Sequence, residues 1–147
     1  VLEFGFDLDH YEVMTGIADY TRSSAAHVTP RILENVVRRL PMLKAEFTQI
    51  HAPKFPHLVD QLEFLADAVE DSAEGVYKDL PYAALAGAVF ALIYTHRMID
   101  IIPNFVPEYG YADDSGVVRT VLSDHEAAFS KYAADQGFDW SKITIKP

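Results

Sequence analysis

The sequence contains no cysteine, so disulfides, thiolate metal sites and cysteine nucleophiles are all excluded. That absence fits a reducing compartment such as the cytoplasm. Glycine is scarce, with 7 among 147 residues, while leucine, alanine, glutamate and aspartate fill long stretches. Such a composition favours helices over strands. Basic residues are few, 12 against 22 acidic ones, giving a formal net charge of −10. They form no block, and the single adjacent pair of arginines, Arg38–Arg39, lies inside an apolar-periodic stretch. An acidic surface repels phosphate backbones and anionic headgroups, so nucleic-acid binding is disfavoured. The chain begins at Val1 with no basic and apolar stretch of signal-peptide type, and the start of translation is expected to lie upstream.

What is present reads as one helical domain over 1–147, long enough to bury a real core. Residues 1–9 form an acidic, aromatic arm without periodicity. A modest helix is expected over Asp9–Ser24, with Val13, Met14, Ile17 and Ala18 inward. Thr29-Pro30 is a strong helix start, a capping hydroxyl followed by proline at the first helical position. Ile32, Leu33, Val36, Val37 and Leu40 follow at helical spacing, and Pro41 is expected to kink or break that helix. A third helix is expected over Pro56–Tyr77, with Leu58, Leu62, Leu65, Val69 and Val76 inward. Its acids, Asp60 to Glu74, form a solvated face.

Asp79-Leu80-Pro81 opens the fourth helix, and no charge follows until after Thr95. A helix apolar all round is either central or membrane-spanning. This one is roughly 24 Å long at 1.5 Å per residue, shorter than the roughly 30 Å hydrocarbon core. The central reading is therefore preferred. Leu85, Val89 and Leu92 make its large face; Ala84, Gly87, Ala88 and Ala91 make a small face that admits a close neighbour. A last helix is expected over Asp114–Gln136, ended by Gly137, and 138–147 is a tail whose Phe138, Trp140, Ile143 and Ile145 pack on the body. The whole is all-α, a bundle of about five helices around a central apolar one.

The segment Met98–Asp114, "MIDIIPNFVPEYGYADD", combines isoleucines, prolines and aromatics with short acids and an amide. Pro103 and Pro107 turn their predecessors away from helix. A connection this apolar is expected to be buried, with Asp100, Asn104, Asp113 and Asp114 satisfying its peptide groups or capping the last helix. An apolar helix, a break and then I-D-x-I-P-x-F-x-P-x-x-G-x-x-D-D is a specific order of residues. It resembles the YkvA-like family of bacterial domains of unknown function over roughly residues 80 to 122, within a core of 80–136. The matching positions are Ile99, Asp100, Ile102, Pro103, Phe105, Pro107, Gly110, Asp113 and Asp114. Met98 stands for the family's leading proline and Asn104 for an aspartate. The resemblance implies an architecture without an established activity, and in some members an association with membranes.

Three functional readings follow. The first is a non-enzymatic interaction or scaffolding module, with a protein partner or a second copy meeting the small face of the fourth helix and Phe105, Tyr109 and Tyr111. The second is a divalent-cation site using Asp100, Asp113 and Asp114 with His96, the cation being the cofactor implied. His96 and Asp100 would share a helix face if the fourth helix ran that far. The third is membrane contact through 80–107, which the acidic surface disfavours. Catalytic signatures fail on geometry. Asp114-Ser115-Gly116 resembles an aspartic-protease triplet without its strand-rich frame, and Ser123-Asp124-His125 are adjacent helical residues that cannot form a relay. His51 and His57 lack zinc spacing, and His10, His27 and His125 read as surface or rim histidines.

Overall fold

The computed structural model describes the backbone of residues 7–97 and 111–144 and the side chains of 16–97 and 113–144. Among the described residues seven helices are formed: α1 (Asp7–Ala25), α2 (Pro30–Phe47), α3 (Leu58–Ala73), α4 (Tyr82–Thr95), α5 (Tyr111–Asp124), α6 (Glu126–Gln136) and α7 (Trp140–Ile143). Among the described residues there is no strand.

Local chemistry sets most of the boundaries. The Thr29 hydroxyl accepts the Ile32 N–H at 3.2 Å and Pro30 follows, as the sequence predicts. Val36, Leu40, Leu43 and Phe47 then form one buried stripe. Pro41 does not break α2. It is solvent-exposed, so the hydrogen bond it forgoes lies on the wet side while the apolar stripe holds the other side. The third helix ends at Ala73, earlier than expected. Gly75 takes φ +76°, and the N–H groups of Gly75 and Val76 return to Ser72 O and Asp71 O at 3.3 and 2.9 Å. This left-handed cap turns Val76 outward to 60% exposure, and Tyr77 is buried in its stead.

The helix α4 is the centre. It packs on α1, α2, α3 and α5, and every residue from Ala84 to Tyr94 is buried. Its small face is closed from within the chain: a Cβ added to Gly87 would lie 3.2 Å from Val121 Cγ1. The expectation that a neighbouring backbone approaches there is met by α5. The same fact corrects the idea that this face is a free contact surface. As Asp79-Leu80-Pro81 predicts, the helix opens here, with Pro81 at the cap position, and Asp79 meets Lys131 at 3.4 Å. No described helix is long and apolar enough to cross a membrane.

The expected single last helix is two. The chain breaks at His125, so α5 lies on α1 and α4 through Val117, Val118, Val121 and Leu122, while α6 carries Phe129 and Tyr132 to Phe64 of α3. Gly137 ends α6 in the left-handed region, as predicted. The tail packs as expected: Phe138 and Trp140 sit 5.4 and 5.7 Å from the Phe64 ring. Buried Gln61 donates to Ile143 O at 2.9 Å, which fixes α7. At the other terminus, residues 7–9 belong to α1 rather than to an arm.

Candidate functional site

The acidic, proline-rich motif begins in sequence just after α4 ends and runs into the first turn of α5. Thr95 closes α4 with its hydroxyl on Ala91 O at 2.9 Å. His96 is the cap, and Arg97 turns out of the helix with φ +56°. A non-glycine residue held there costs about 1 kcal/mol, so something must hold it. Its guanidinium does: Nη1 donates to Tyr94 O at 2.6 Å and to Asp114 Oδ1 at 2.8 Å. The other pair, Nη2 to Oδ2, is longer at 3.4 Å. The same cation lies 5.5 Å from the Tyr94 ring centre. Arg97 thus neutralises the negative end of α4 and clasps it to α5.

Asp114 is 2% exposed and Asp113 is half-buried. Both lie in the first turn of α5, where negative charge is favoured, rather than before it as caps. Burial pushes the Asp114 carboxyl up to about 6, against the opposing hydrogen bond and charge of Arg97. Burial also raises Asp113, with Arg97 pulling the other way. The His96 ring nitrogen Nδ1 lies 3.0 Å from Leu92 O, so Nδ1 carries the proton and donates it. Burial lowers the pKa of this ring and keeps it neutral. Its Nε2, and Ser115 Oγ beside Asp114, are buried with no hydrogen-bond partner.

Several expectations change here. The fourth helix ends at Thr95 and Arg97 leaves the helical region, while Asp100, the expected i, i+4 partner of His96, lies outside the described residues. Asp114 satisfies a guanidinium rather than a peptide group. Among the described residues, no three histidines, aspartates or glutamates gather as metal ligands; His96, Asp113 and Asp114 do not form such a cluster. Asp100, Pro103, Asn104, Phe105, Pro107 and Gly110, and with them the expected buried loop, lie outside the described residues. Of the protease-like triplets, Asp114-Ser115-Gly116 sits inside α5, and Asp124 accepts two hydrogen bonds from Arg22 at 2.7 and 3.0 Å. The residue that sequence reasoning missed is Arg97. Its signal was available: it is the first charge after the uncharged run that began at Leu80, placed at a helix end where a cation belongs.

A cavity of roughly 310 Å³ adjoins this junction, with Glu46, Gln49 and Ile50 from the end of α2 and Leu58 and Leu62 from α3 forming its other walls. Residues 84–119, which contain α4 from Ala84 onward, the Arg97–Asp114 clasp and the first part of α5, match a family described as a protein of unknown function (DUF1232). No curated protein and no solved structure matches the chain. Over that span the chain is similar to a family whose function is itself unassigned.

Proposed function

We propose that the chain is a non-enzymatic helical interaction or scaffolding module, and that the matched span is a YkvA-like unit whose working part is the motif segment. The Arg97–Asp114 clasp carries this reading. A buried carboxylate and a left-handed arginine hold the chain in one geometry on either side of residues 98–110. Charged pairs that fix geometry at a desolvation cost suit a device for presentation. Because the small face of α4 is closed by the chain itself, the candidate contact residues reduce to Phe105, Tyr109 and Tyr111, from the sequence alone. The partner is a second copy of this chain or another protein. The test is a photo-crosslinking residue at 105 or 109 in the intact protein, with light scattering over a range of concentrations. The reading expects a discrete crosslinked species that Arg97→Ala diminishes. A monomer at every concentration that crosslinks to nothing from either position would sink it.

One observation favours a second reading, a divalent cation at His96 with Asp100 of the motif segment, Asp113 and Asp114 not gathering with that histidine. The imidazole is neutral, its Nδ1 proton is committed to Leu92 O, and its Nε2 lone pair is unpartnered. Metal-binding histidines are commonly oriented this way. Melting with calcium, magnesium, manganese or zinc is the check, since a ligand of the native state raises the midpoint. Unchanged midpoints with all four ions remove the reading.

A further inference from the structure

A second place on the molecule, further along α5 from the Arg97–Asp114 clasp, holds a charge without a counter-charge. Arg22, Lys44, Arg97 and Lys131 each meet a carboxylate. Arg119 on α5 is half-buried, yet among the described residues its guanidinium has no ion pair or hydrogen bond. An arginine without a counter-charge stands out in a chain whose acids outnumber its bases by 22 to 12. It lines an open-sided cavity of roughly 230 Å³. Ser123, one turn further along the same face of α5, offers a hydroxyl that is likewise unbonded among the described residues. Leu122 supplies an apolar wall, and Gln61, tied to Ile143 O, makes a fixed one.

We propose that this cavity is a binding site for a small monocarboxylate, held by the Arg119 guanidinium through paired N–H···O bonds and by the Ser123 hydroxyl. The planar fork of arginine matches two coplanar oxygens, and such charge-assisted bonds are the strong ones. The single charge follows from the surroundings. Glu126 lies on the rim, and the net charge of −10 repels a dianion more than a monoanion. The apolar wall at Leu122 suits a short alkyl group beside the carboxylate. This site is separate from the interaction reading and stands or falls apart from it.

The experiment is a titration of the intact protein with sodium acetate or propionate, followed by amide and arginine side-chain nitrogen–proton correlation spectra. Sodium chloride at equal ionic strength is the reference, and sodium phosphate is the competing anion. Saturable shifts at Arg119, Ser123 and Glu126 are expected with the carboxylates and weaker ones with phosphate. Arg119→Lys keeps the charge and loses the fork, so affinity should fall roughly tenfold. Arg119→Gln should abolish saturation. If that variant does not fold, Arg119→Lys decides. Glu126→Gln should tighten binding severalfold. Shifts that never saturate, that chloride reproduces, that phosphate matches or exceeds, or that persist unchanged in Arg119→Lys would overturn the assignment.

Discussion

Two regions of this one core are built on opposite terms. Around Phe64 four rings, Phe129, Tyr132, Phe138 and Trp140, lie at 5.4 to 6.0 Å, largely in edge-on or tilted contact. The Tyr132 hydroxyl, buried among them, donates to Asp71 at 2.7 Å, and burial together with that acid raises its pKa. Among the described residues, no buried polar side-chain atom there lacks a partner. At the junction of α4 and α5, a carboxylate is 2% exposed, its arginine is strained, and two buried polar atoms have no partner. Aromatic burial gives stability at little cost in polar desolvation. The junction gives up stability to hold two chain ends in one geometry, and sites that do so are where function concentrates.

The largest effect that bears on this contrast belongs to the aromatic region. Phe64→Ala removes a fully buried ring and the partner of four others, and should cost about 4 kcal/mol. Urea denaturation followed by tryptophan fluorescence is apt, because Trp140 is in contact with the ring. A loss under about 1 kcal/mol would mean that the cluster collapses around the gap and is less rigidly packed than its geometry implies.

The junction should respond less at neutral pH and differently in acid. Arg97→Ala leaves the Asp114 carboxylate buried without its counter-charge. Breaking a buried pair costs roughly 3 to 5 kcal/mol. Arg97 is 34% exposed, so water screens part of the loss. About 2 kcal/mol at pH 7 is therefore expected. Adding Asp114→Asn should recover much of it, since the double variant buries no charge.

The acid response has a definite sign. Asp114 is held near 6, above the value of about 3.9 for an unfolded aspartate. The folded state therefore binds its proton more tightly. Its contribution to stability is complete below pH 4 and is lost as pH rises through 6. Between pH 7 and pH 4, the wild type should gain about 2 kcal/mol relative to Asp114→Asn. An equal pH response in the two proteins would place the carboxyl in a wetter setting than the fold gives it.

Much of this architecture was legible in the residues. Thr29-Pro30, the central apolar helix, the alanine–glycine face and Gly137 each announced a local device that the structure uses. What escaped depended on distant partners. Pro41 reads as a breaker, but the helix survives because the opposite face is anchored by Leu40, Leu43 and Phe47. His125 interrupts an otherwise continuous helical stripe because Phe129 and Tyr132 must reach Phe64, which no local pattern states. The acids of the motif were assigned to peptide groups, and Asp114 went to Arg97, seventeen residues before it in sequence, because a guanidinium at the end of α4 outcompetes an amide.

Gly87→Ala tests the packing between the two regions. The new methyl would meet Val121 Cγ1 at 3.2 Å, so that side chain must give by a few tenths of an ångström. Overpacking costs about 1 to 3 kcal/mol, and the better helix former returns about 1. A net loss of about 1 kcal/mol is expected, and a gain would show that α5 can shift along α4.

The smallest effect calibrates the rest. Thr29→Ala removes the hydroxyl that accepts the Ile32 N–H, far in sequence from both regions, and should cost about 1 kcal/mol. No titratable group takes part in that bond, so the loss should be equal at pH 4 and pH 7 by urea denaturation. Asp114→Asn, measured in the same way, should change with pH. If both variants drift together with pH, the drift comes from the net charge of the chain. If only the junction variant drifts, it comes from one buried carboxyl, and the contrast between the two regions acquires a measured size.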